Sequence, residues 1–348
     1  MLGVLVEDAP NCVLLATSSF LSGSSQDKKA QMNKLLMAVV KNIMDKGKHA
    51  MDIITEDNRV LKRKIEELTA ASQAPFKLPY YWDGDHASSN RPLLRDAYLP
   101  EGHNQHLAEN MLNDCINPKC NENMRNGDPL RSICAQHLNY DRGLQMTCPF
   151  RIIKMERLEN SEAFQRFQMH EAIVTRAMEK LPQRELDQVM SQRQSSSSGW
   201  LQKLEMKNDL KQMANTRYLL HGTKQEHLSD IIKKGLRAGF ARDTSACIYG
   251  KGIYFADTSC KANQYTDNNN TSEKLILICR VVLGRSKLLP GCDREMRNAP
   301  EGYHSCHVNE LTLNNANIPQ VHNEYIVYND IECYPEFLLR CKIDWHDP

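Results

Sequence analysis

The run KLILICRVVL, Lys274 to Leu283, constrains this fold more than any other stretch of the chain. It is the most apolar segment, yet it is interrupted by Arg280 and falls well short of the roughly eighteen apolar residues a membrane helix needs. It is rich in β-branched residues and reads as a strand. Four further short β-type runs accompany it: RYLLHG (217–222), GIYFAD (252–257), NEYIVY (323–328) and EFLLRCKI (336–343). Between the first two lies a helix, LSDIIKKGL (228–236), ended by Gly235 near its C-cap. Several strands and few helices predict an α+β domain on a mainly antiparallel sheet.

The 348 residues leave room for two domains, or for one large domain with an attachment. With 41% apolar and 25% charged residues and a net charge of +1, the composition is that of an ordinary soluble protein. The balanced charge gives no global electrostatic case for nucleic acid or an anionic membrane, although a local basic patch would still permit nucleic-acid contact. The start, MLGVLVEDAPNCVLLATSSF, carries Glu7 and Asp8 and lacks a basic region, so it is a poor secretion signal. The twelve cysteines are scattered, which fits reduced thiols or metal ligands better than a disulfide framework. The expected location is therefore intracellular, nuclear or cytoplasmic.

Residues 1–26 read as a disordered lead-in and 27–74 as a long helix. Met37, Met44, Met51, Asn58 and Ile65 recur every seven residues, with Val40, Gly47, Ile54, Leu61 and Leu68 three positions on. This a/d pattern fits a coiled-coil homodimer through residues 30–70, with Asn58 fixing register. A single amphipathic helix packed on its own protein fits as well, and Gly47 favours that alternative. Residues 75–148 concentrate His and Cys in a stretch broken by turn residues. Cys115, Cys120, Cys134 and His137 could supply two pairs of zinc ligands, or the cysteines could be ordinary buried residues. Residues 149–348 form the strand-rich domain, with a polar, flexible insert near 193–199.

Three polar residues sit on or beside the β-runs: His221, Tyr254 and Glu324. Singly, each reads as a solvated strand end or an alternating strand residue. Together they belong to an ordered set: His-Gly-Thr at 221–223, Gly-Leu-Arg at 235–237, YGKGIYFAD at 249–257, Asn-Gln-Tyr at 263–265 and NEYIVY at 323–328. This set resembles the catalytic domain of the poly(ADP-ribose) polymerase family, the diphtheria-toxin-like ADP-ribosyltransferases, from about Phe150 to Asp344. GKGIYFAD followed at this distance by NEYIVY is a specific signal; His-Gly-Thr alone is a weak one.

The resemblance implies a split, mainly antiparallel ADP-ribosyltransferase sheet and NAD as co-substrate. It implies His221, Tyr254 and Glu324 as the catalytic set. Breaking the bond between ribose and a cationic nicotinamide passes through an oxocarbenium-like state, so the site must hold a flat ring and place negative charge near the sugar. On this reading Tyr254 and Tyr265 sandwich the ring, and the backbone of Gly222 takes its carboxamide. Glu324 stabilises the sugar cation, and His221 binds the adenine-side ribose. Thr223 and Arg237 line the adenosine and diphosphate end, and Lys261 faces the acceptor or assists Glu324. Many members carry a serine eight residues after the strand tyrosine, where this chain has Ala262. The function implied is NAD-dependent transfer of ADP-ribose, as one unit or a chain, to protein acceptors including the enzyme itself. The alternative is a low-activity scaffold that binds NAD or ADP-ribose and assembles through its N-terminal helix.

Overall fold

A computed structural model describes residues 77–82, 92–97, 108–109, 112, 150–195, 199–238, 247–267, 273–313, 317 and 322–343, with scattered positions between 34 and 59. The chain divides into two compact units, Met1–Glu67 and Leu68–Pro348. In the first, the described positions are helical, and Met37, Val40 and Met44 of the heptad pattern are exposed. Met51, Ile54, Asn58, Leu61 and Ile65 lie outside the described residues.

The second unit is a mixed helix and strand fold on a mostly antiparallel sheet. Its strands are β1 (Leu93–Asp96), β2 (Phe150–Glu159), β3 (Thr216–Thr223), β4 (Ile253–Ala256), β5 (Lys274–Val282), β6 (Ser286–Leu288), β7 (Ser305–Val308), β8 (Glu324–Val327) and β9 (Cys333–Ile343). They form one sheet in the order β1-β2-β9-β5-β3-β4-β8-β7-β6, antiparallel except for β6 against β7. The helices are α1 (Ser161–Glu179), α2 (Gln183–Ser195), α3 (Gly199–Lys207), α4 (Gln225–Lys234) and α5 (Ser259–Asn263). Of the polar insert expected near 193–199, residues 193–195 belong to the end of α2, Gly199 opens α3, and 196–198 lie outside the described residues.

All nine residues of β5 are buried between β9 and β3, which explains why its sequence runs almost unbroken in apolar side chains. The interruption, Arg280, is matched by a buried acid: its Nε lies 2.7 Å from Glu336 Oε2. Tyr218 and Tyr81 also donate their hydroxyls to Glu336, so the carboxylate is met on both oxygens. A charge inside the sheet survives only when paired and hydrogen-bonded in this way. Helix α1 starts at Asn160, whose side chain accepts from Ala163 N–H at 3.0 Å. It buries Phe164, Phe167, Val174 and Met178 along one stripe.

The boundary expected at 149 falls inside this unit. β1 comes from the stretch 75–148 and pairs with β2 from Leu93 opposite Glu159 to Asp96 opposite Glu156. Ala108 and Leu112 are buried with Phe150, Leu201 and Leu204. Trp82 packs against Phe164 and Tyr334, with ring centroids at 5.3 and 6.2 Å. The polar punctuation of 75–148 hides these few apolar anchors, and β1 from the same stretch covers the edge of β2.

Candidate active site

The sheet has a seam. β3 pairs with β5 along its whole length, but with β4 at one register point only, Leu220 opposite Ala256. Past that point the strands part, and a cavity of about 640 Å³ opens between them. Across the gap the His221 ring replaces the missing ladder: its Nδ1–H donates to Tyr254 O at 2.8 Å. Burial disfavours the imidazolium and lowers the His221 pKa, while the bond to that carbonyl opposes the shift. The neutral ring keeps Nδ1 as donor and leaves Nε2 as acceptor.

Tyr254 is aimed by the glycine turn before it. Its hydroxyl donates to Gly250 O at 2.7 Å and accepts from Tyr249 N–H at 3.0 Å, fixing the ring from its far end. Burial raises the phenol's pKa well above its ordinary value. The turn requires glycine: Gly250 has φ +91°, and a Cβ there would lie 2.2 Å from Met296 O. Gly222 is under a similar constraint, since a Cβ would meet the Ala262 carbonyl oxygen at 1.8 Å.

Helix α5 follows β4 and brings Lys261 and Ala262 to the cavity, with Tyr265 just beyond its end. Lys261 Nζ lies 3.0 Å from Glu324 Oε1, and the two side chains are 10% and 4% exposed. Glu324 is the first residue of β8, opposite Ala256 of β4 and Val308 of β7. Thr223 and Arg237 line the cavity too, and Arg237 Nε stands 3.8 Å from Asp330 Oδ2. The residues singled out from the sequence for the catalytic, donor and acceptor sides line one cavity: His221, Gly222, Thr223, Arg237, Tyr254, Lys261, Ala262, Tyr265 and Glu324.

Other features escaped the sequence reading. α4 presents Glu226, His227 and Asp230 to the same cavity. Behind Glu324, buried Asp257 accepts from Asn323 Nδ2 at 2.8 Å, and Tyr325 OH stands 3.5 Å from the same oxygen. Asp257 ends the GKGIYFAD run, but nothing in its spacing signals burial. Cys260 Sγ stands 3.5 Å from His322 Nε2, both residues buried. Cys115, Cys120, Cys134 and His137 lie outside the described residues. Among the described residues no group of three or more His, Cys, Asp or Glu could hold a metal ion. No described helix is long and apolar enough to cross a membrane.

Comparison with known proteins gives this cavity a context. A family model of the poly(ADP-ribose) polymerase catalytic domain matches residues 133–322. The chain is 28% identical over 159 residues to poly [ADP-ribose] polymerase 1 of Gallus gallus, covering 39% of this chain and 16% of that protein. It is 29% identical over 139 residues to the human protein mono-ADP-ribosyltransferase PARP4, covering 38% of this chain and 8% of that protein. To poly [ADP-ribose] polymerase 1 of Caenorhabditis elegans it is 28% identical over 160 residues, or 38% and 17% of the two chains. The matched stretch is thus a small part of each relative's length. The family match spans more than half of the 348 residues and takes in the seam, the glycine turn and α5, so the chain belongs to the poly(ADP-ribose) polymerase catalytic domain family.

Proposed function

We propose that this chain is an NAD-dependent protein ADP-ribosyltransferase that releases nicotinamide. The observation that carries the reading is the buried Lys261–Glu324 pair in the cavity that also holds Gly222, Tyr254 and Tyr265. The nicotinamide ring lies between the two tyrosines, where aromatic faces favour a flat cation. The backbone of Gly222 takes the carboxamide, and the absent side chain leaves room for it. His221, with Nε2 as acceptor, holds the adenine-side ribose. Thr223 and Arg237 hold the adenosine and diphosphate end. As the bond from ribose to nicotinamide stretches, positive charge spreads over the sugar and nicotinamide leaves neutral. The Glu324 carboxylate, itself shielded from water and fixed by Lys261, stabilises that charge.

Protein acceptors, this chain included, are the proposed partners, and the N-terminal heptads favour a homodimer through residues 30–70. The free cysteines among the described residues support a reducing, intracellular location. Protein incubated with labelled NAD should label itself or an added protein, and Glu324→Gln should remove most of the label. A discrete band reports a single unit and a high-mass smear a chain. Silence of the wild type at millimolar NAD overturns the reading. Ala262 favours a second reading, an NAD-binding scaffold with little turnover, because a donor-holding hydroxyl is absent at that position. Stabilisation by NAD without nicotinamide release decides for the scaffold.

A further inference from the structure

We propose that Asp257 is a positioning residue for Glu324, tying down the residues on both sides of it from behind the sheet. This role rests on Glu324 being the charge-stabilising carboxylate of the proposed reaction.

The register makes the link. Ala256, the last residue of β4, faces Glu324, the first residue of β8. The next rung of that ladder is built from side chains: Asp257 Oδ2 accepts from Asn323 Nδ2 at 2.8 Å. Tyr325, on the other flank of Glu324, brings its hydroxyl to 3.5 Å from the same oxygen. Side chains alternate along a strand, so the flanking residues 323 and 325 point away from the face that Glu324 uses. One buried carboxylate thereby reaches both neighbours of Glu324, while Lys261 meets its side chain from the cavity.

The arrangement extends to the neighbouring strands. From β3, Arg217 Nη1 donates to Tyr325 OH at 3.3 Å, and its guanidinium lies 5.3 Å from that ring's centroid. From β7, the His307 ring stacks on Tyr325 at 6.3 Å. The carboxyl is costly where it stands. Burial pushes its pKa up to about 6, and Oδ1 has no hydrogen-bond partner among the described residues. A group that only stabilised the fold would be better as a neutral side chain. Retention of the acid fits a demand for fixed geometry at Glu324, where a small misplacement of a reacting group slows chemistry strongly.

The test measures nicotinamide release from NAD by the full chain. Asp257→Ala should lower turnover about 10- to 100-fold while KM for NAD stays within about twofold, because the donor-holding residues are untouched. The exchange Asp257→Asn with Asn323→Asp rebuilds the bond with donor and acceptor reversed, and should recover turnover to within about fivefold of wild type. If Asp257→Ala does not fold, Tyr325→Phe removes the second of the two Asp257 contacts, together with the Arg217 bond to the same hydroxyl, and should lower turnover about three- to tenfold. Unchanged turnover in these variants, a loss confined to KM, or no recovery in the exchange overturns the positioning role and leaves the enzyme reading standing. A wild type that releases no nicotinamide overturns both.

Discussion

Lys261 Nζ and Glu324 Oε1 stand 3.0 Å apart with both side chains almost shielded from water. Such a pair adds little net stability, but removing one partner leaves a buried charge without its match, which costs about 3–5 kcal/mol. Lys261→Met should therefore lower the melting temperature strongly, and Glu324→Gln should do so less, since a glutamine still accepts from the lysine. The double variant should regain much of the stability while remaining inactive. Thermal unfolding of the four proteins of this cycle checks it. Additive losses would mean that the pair is not coupled.

Gly222 and Ala262 are locked together by distance, since a Cβ on the glycine would fall 1.8 Å from the alanine's carbonyl oxygen. That oxygen is backbone and accepts from Tyr265 N–H at 3.1 Å, so it cannot swing away without moving the second tyrosine. Gly222→Ala should cost about 1–3 kcal/mol of stability through overpacking. It should also abolish stabilisation by NAD in a thermal shift, because the end of α5 is pushed across the cavity. A full NAD shift in this variant would remove Gly222 from the donor site.

The sequence was legible where local chemistry and tertiary role coincide. KLILICRVVL has the composition of a strand buried on both faces, and β5 is such a strand. The ordered glycines, tyrosines, His221 and Glu324 are far apart in the chain, yet their spacing resembles a known family closely enough to place them together. Other features depend on contacts that no local pattern encodes. β1 is four residues long and owes its existence to the edge of β2. Asp257 looks polar and exposed in sequence but is buried because β4 and β8 converge beside it. The interruption of the apolar run by Arg280 becomes intelligible only once Glu336, 56 positions later, accepts from its guanidinium.

His307 and Asp257 should give opposite pH dependences. Burial, then the neighbouring Arg217 charge, lowers the His307 pKa from 6.5 to about 4. Between those values the unfolded chain binds a proton that the folded one does not, so stability falls as pH drops from 6.5 towards 4. Asp257 is raised from 3.8 to about 6, so over the overlapping window the folded state binds the extra proton and stability rises as pH falls. The stability of His307→Gln relative to wild type should thus rise by about 1–3 kcal/mol as pH falls across this window, being better at pH 4.5 than at pH 7.5. Asp257→Asn should fare better at pH 7.5 than at pH 4.5. Denaturant unfolding at the two pH values checks both signs, and parallel behaviour of the two variants would refute the assignment.

Ala262 lines the cavity on α5 next to Lys261, with its side chain buried. A hydroxyl there adds a donor at the proposed nicotinamide carboxamide without adding bulk beyond one oxygen atom. One such hydrogen bond contributes about 0.5–1.5 kcal/mol, up to about tenfold in affinity. Ala262→Ser should therefore tighten NAD binding by about two- to tenfold, read by calorimetry. Turnover should change less than affinity, because the carboxamide is held alike in the ground and transition states. Weaker binding would mean that the new hydroxyl is buried without a partner, and would place the carboxamide elsewhere in the cavity.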